Sequence, residues 1–174
     1  MVSPHGFDAA ALFEAVDERR QAEGLSWAGV TTAIWDESCD LNAQRGDHPI
    51  SPDTIKHIGI RRDTSCQHAL FVLRWLGRAP EEFIASPRVA GVALPYADPA
   101  HRLRWDLRAT YDALNAARTA RGATWAQAAT RLHCTSNQLT GLRTAKFGAS
   151  MRLMMRITQA LGRPAADFVS VATW

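Results

Sequence analysis

Between Thr135 and Arg152 the chain sets short polar side chains beside basic ones: Thr135, Ser136, Asn137, Gln138, Thr140 and Gly141, then Arg143, Lys146 and Arg152. The Asn137 amide offers a donor and an acceptor side by side, the pair an adenine edge takes in the major groove of DNA. The same amide also suits a helix start, where it would only be solvated. Arg143, Lys146 and Arg152 lie beyond the polar run and suit phosphate oxygens, which adds affinity and salt dependence but little sequence choice. A second basic set, Lys56, Arg61 and Arg62, reads equally as a secondary DNA contact and as a solvated edge.

Other chemistry finds little footing. The chain has no glycine-rich phosphate loop, no GxSxG elbow, no His pair at i and i+4, and no paired carboxylates in its basic half. Its cysteines, Cys39, Cys66 and Cys134, form no CxxC pair, so reduced structural thiols are expected. No catalytic residue, metal or cofactor is expected, and the protein is not expected to be an enzyme.

The elements that must carry the polar run follow from apolar spacing. Trp125, Ala128, Ala129 and Leu132, then Leu139 and Leu142, fall at helical intervals on either side of His133-Cys134-Thr135. That predicts two short helices meeting at a tight turn, a helix-turn-helix. On these residues, Ala123 to Ser150 resembles the DNA-binding module of the phage repressor and Cro type, the XRE family. Matching positions include Ala129, the small residue where the helices cross, Thr135 as cap of the second helix, Leu139 and Leu142 as anchors, and Lys146 after them. Trp125, His133 and Arg143 depart from the family, which often has Gln, Gly and Glu there. The resemblance implies double-stranded DNA as partner, with Thr135, Ser136, Asn137 and Gly141 facing bases and Gln138 and Thr140 nearby.

The chain also repeats itself. Residues 8 to 34 align without gaps to residues 106 to 132, with Asp8, Arg20, Gly24 and Trp27 recurring as Asp106, Arg118, Gly122 and Trp125. LGRAPEEF from Leu76 returns as LGRPAADF from Leu161. The expected fold is all-α, two tandem five-helix repressor-like helix-turn-helix domains over residues 1–85 and 104–174. A Pro-containing nonhelical linker over 86–103 is expected between them, its Val89, Val92, Leu94 and Tyr96 packed on a domain surface. The first copy carries an insertion near 36–50, expected to lengthen its second helix to about Arg45. In both copies the tryptophan is expected to pack, and Phe83 or Phe168 to close the core. VSVATW at the C-terminus is expected to be exposed and free for a partner.

Charge separates the copies. Through Asp98 there are 9 basic and 14 acidic side chains, and from Pro99 onward 11 basic and 3 acidic. The basic half is the footprint expected of a polyanion binder. The expected function is therefore a DNA-binding transcriptional regulator reading mainly through the second copy. A homodimer or a protein partner would engage the first copy or the C-terminus. The alternative is an antitoxin-like or interaction scaffold that keeps the fold with little DNA binding. No apolar run approaches the roughly 18 residues of a membrane span, and the first residues lack a leader pattern, so a cytoplasmic, membrane-free protein is expected.

Overall fold

Aspartate starts each half of the fold. Asp8 accepts hydrogen bonds from the N–H groups of Ala10 and Ala11 (3.0 Å each), capping α1 (Ala9–Ala22). Asp106 accepts from Ala109 N–H (2.8 Å) and caps α6 (Leu107–Ala120). The computed structural model describes residues 6–145 and 148–174, and it is mostly helical with one small sheet. After α1 and α6 the chain turns at Gly24 and Gly122, whose φ of +65° and +61° favour glycine. Ser26 then caps α2 (Trp27–Asp36), and Thr124 caps α7 (Trp125–Leu132).

The tryptophans opening α2 and α7 pack as expected. Trp27 stacks on Phe13, and Trp125 on Tyr111, with ring centres 5.4 Å apart in both pairs. Arg20 and Arg118 each hold a guanidinium 4.7 Å from the corresponding indole centre. The same arginines donate to the carbonyls of Leu25 and Ala123, tying each helix end to the next helix start.

The expected long second helix does not form. α2 ends at Asp36, the chain turns through Glu37 and Ser38, and a separate α3 (Cys39–Arg45) follows, closed by Gly46 at φ +61°. The cause lies in Arg74, whose guanidinium takes the Glu37 carbonyl released by the break and pairs with the Glu37 carboxylate at 2.9 Å. It also donates to Ser38 Oγ (2.8 Å) and Ala97 O (2.8 Å), while Ser38 Oγ donates to His101 O (2.7 Å). A continuous helix would hold that carbonyl in its own ladder and forfeit the contact.

Ser51 caps α4 (Pro52–Arg61) and Ser65 caps α5 (Cys66–Leu76). In the second half, α8 (Ser136–Gly141) runs into a 3-10 turn at Leu142–Thr144, and Ser150 caps α9 (Met151–Leu161). The expected fifth helices are single 3-10 turns, Pro80–Phe83 and Ala165–Phe168, whose phenylalanines are buried.

The C-terminus and the linker end also depart from expectation. β1 (Arg102–Trp105) pairs antiparallel with β2 (Val169–Ala172), in the register Arg102 to Ala172 and Trp105 to Val169. Leu103, Trp105, Val169 and Ala172 are buried in this pairing, so half of the apolar tail is core rather than free surface; Val171 and Trp174 stay exposed. Within the linker Val89 and Leu94 are half-buried, whereas Val92 and Tyr96 are exposed.

One hydrophobic core runs through both halves. At its middle, Cys66 N–H donates to Ala149 O and Met151 N–H to Thr64 O, both at 2.8 Å, making an antiparallel bridge between Ser65 and Ser150. These serines cap equivalent helices, so the junction is locally two-fold. Further ties are Ala165 N–H to Glu81 Oε1 (2.6 Å), Gln67 Nε2 to Leu103 O (2.8 Å) and Arg88 N–H to Gln159 Oε1 (2.6 Å).

Candidate nucleic-acid interface

The turn between α7 and α8 is built residue by residue. His133 takes the left-handed conformation at φ +51°, letting Cys134 N–H return to Ala129 O at 3.0 Å. Ala129 and Leu132 on α7, with Leu139 and Leu142 following the turn, are buried and fix how the helices cross. Arg156, on α9, donates to the carbonyls of Leu132 (3.4 Å) and His133 (3.2 Å) and holds the turn from below.

Thr135 and Gln138 form a reciprocal cap. Thr135 Oγ1 accepts from Gln138 N–H (3.2 Å), and Gln138 Oε1 accepts from Thr135 N–H (2.9 Å). Both side chains are thereby committed to starting α8, which lowers their availability to an outside partner. The T-x-x-Q spacing that signals this box is in the sequence, and Thr124 with Gln127 repeats it. Thr140 is half-buried and donates to Ser136 O (3.1 Å); Ser136 and Gly141 are half-buried as well.

Asn137 and Arg143 remain. Asn137 is exposed, with no side-chain hydrogen bond among the described residues, and Arg143 is exposed beyond the end of α8. Lys146 lies outside the described residues. No family model, curated protein or solved structure matches this chain.

Arg152 is placed differently from the other bases. It is half-buried and donates to Arg62 O at 2.5 Å, across the Ser65–Ser150 junction. Arg62 itself has φ +52°, and with Arg61 it is exposed at the end of α4, one turn beyond exposed Lys56. Thus Arg152 reaches the Arg62 backbone from the opposite half of the chain, a contact with no signal in linear spacing.

The thiols are quiet. Burial pushes the Cys66 thiol up to about 11 and raises that of Cys134, so both stay protonated at neutral pH and are poor nucleophiles. Among the described residues no group of three His, Cys, Asp or Glu side chains could hold a metal. No helix among them is long and apolar enough to cross a membrane.

Proposed function

We propose that the protein binds duplex DNA as a transcriptional regulator, with α7 and α8 acting as a helix-turn-helix of the XRE kind and α8 entering the major groove. The observation that carries this reading is the α7–α8 corner: a left-handed turn, a capped second helix, and the exposed Asn137 amide and Arg143 guanidinium. It sits on the half with 11 basic and 3 acidic side chains, where phosphate attraction is strongest. In this reading Asn137 reads a base and Arg143 holds phosphate, with Ser136, Thr140 and Gly141 shaping the approach and Thr135 and Gln138 acting as the cap.

Selection of genomic fragments by the full chain, followed by fluorescence anisotropy on the selected duplex, tests this. Asn137→Ala should cost about 1–3 kcal/mol and relax preference at one base position. Failure to select any sequence, with no shift on any duplex, favours the interaction scaffold.

A second reading is favoured by the Ser65–Ser150 bridge. An antiparallel pairing of equivalent residues makes the chain its own pseudo-dimer, with α4 and α8 as paired readers. Symmetric dimers of this kind span grooves about 34 Å apart. Because Pro52–Arg61 and Ser136–Gly141 differ in sequence, the operator would be asymmetric. A single-chain footprint over two adjacent grooves supports this arrangement, and a footprint over one groove supports the second half alone.

A further inference from the structure

A cleft of about 520 Å³ opens where the C-terminal parts of α6, α7 and α9 meet the linker. Its apolar wall includes Leu114, Ala117, Ala160 and Leu161, and its rim carries Arg88, Arg118, Arg121 and Arg131. A neighbouring recess of about 230 Å³ shares Arg88 and Arg131 and adds Arg156 and Gln159. No carboxylate lines either space, and none of these five arginines is ion-paired among the described residues. Gln159 is 3% exposed, and its Nε2 has no acceptor among the described residues.

The first half provides an internal control. By the repeat, Ala160 stands where that half has Trp75, and Ala117 where it has Arg19. There Trp75 is 5% exposed and carries the Arg19 guanidinium 4.3 Å from its ring, so an indole fills the corresponding place. Charge is also compensated there: Arg20 pairs with Asp17 at 2.7 Å and Arg19 with Glu23 at 2.7 Å. In the second half Asn115 replaces Asp17 and Arg121 replaces Glu23, which removes the acids and adds a base. At this one place the second half thus lacks the planar aromatic ring and the counter-charges that the first half has.

We propose that this cleft binds a small anionic ligand with a planar aromatic body, the body resting on the Ala117–Ala160 wall and its phosphate or carboxylate groups held by Arg88, Arg121 and Arg131. Guanidinium groups suit both parts, since they stack on aromatic faces and grip planar anions through paired N–H donors. Arg156 donates to the carbonyls of the α7–α8 turn, so an occupant reaching the recess touches the residue that steadies that turn. Ligand binding itself does not depend on whether the protein binds DNA.

Isothermal titration of the full chain with adenosine monophosphate, indole-3-carboxylate, adenosine and inorganic phosphate tests the site. One or both aromatic anions should bind one to one, at least tenfold more tightly than adenosine or phosphate, and their ranking identifies the anionic group. Arg121→Glu and Arg131→Gln, both at exposed positions, should each weaken binding at least tenfold while leaving helicity and thermal unfolding unchanged. Ala160→Trp, which restores the ring of the first half, should abolish binding in a folded protein. Absence of binding by both aromatic anions overturns the proposal. So does binding unchanged by Arg121→Glu and Arg131→Gln, or a loss of duplex affinity in those variants without any ligand binding.

Discussion

His133 holds a left-handed backbone with a side chain that disfavours it, at a cost that glycine largely escapes. His133→Gly should therefore raise stability by about 1 kcal/mol in urea unfolding without changing the turn. Thr135→Ala removes the acceptor for Gln138 N–H and should lower it by about 1 kcal/mol. Gly59 is constrained by space instead: a Cβ there would lie 2.7 Å from the Phe13 ring, which is itself stacked on Trp27. Gly59→Ala should cost about 1–3 kcal/mol through that overlap, read as a lower unfolding midpoint. Glu81 is a buried carboxyl whose contribution depends on pH. Burial raises its carboxyl above the ordinary value of 4.5; Oε1 accepts from Ala165 N–H, while Oε2 has no partner among the described residues. A folded value above the unfolded one means its contribution is full below the unfolded value and lost as pH rises through the folded one. Glu81→Gln keeps an acceptor and carries no charge, so its stability advantage over the wild type should grow as pH rises from 4.5 towards neutrality. A difference that stays flat across that range would contradict the assignment.

At the scale of elements, what was legible in the sequence is what local chemistry decides. Helix starts at Ser26, Ser51, Thr124 and Thr135 announce themselves by capping residues, and the glycine turns by their type. The packed tryptophans and the buried anchors Leu139 and Leu142 followed from apolar spacing. The break between α2 and α3 was not legible, because it depends on Arg74, 36 residues beyond Ser38 in sequence. The β1–β2 pairing was hidden likewise: Arg102–Trp105 reads as the end of a linker until Val169–Ala172 lies beside it. In the candidate site, the polar run was visible but its division of labour was not. Thr135 and Gln138 spend their side chains on each other, and Arg152 reaches Arg62 across the junction. That leaves Asn137 and Arg143 as the exposed pair in the described part of the site.

At the scale of the molecule, one core and the bridge between Ser65 and Ser150 join the halves that the sequence presents as separate domains. Unfolding by urea should accordingly be a single transition, with fluorescence and circular dichroism coincident; two resolved transitions would mean the halves fold apart. A joined molecule also carries its acidic and basic halves at fixed positions, so the first half affects any DNA contact through its field as well as its surface. The most direct test of DNA recognition by α7 and α8 is the salt dependence of duplex affinity for the full chain and its Arg143→Ala variant. The proposed contact predicts that affinity falls steeply as salt rises, and that the variant binds more weakly with a log–log slope shallower by about 1. An affinity indifferent to salt, or an unchanged slope and affinity in Arg143→Ala, would contradict it.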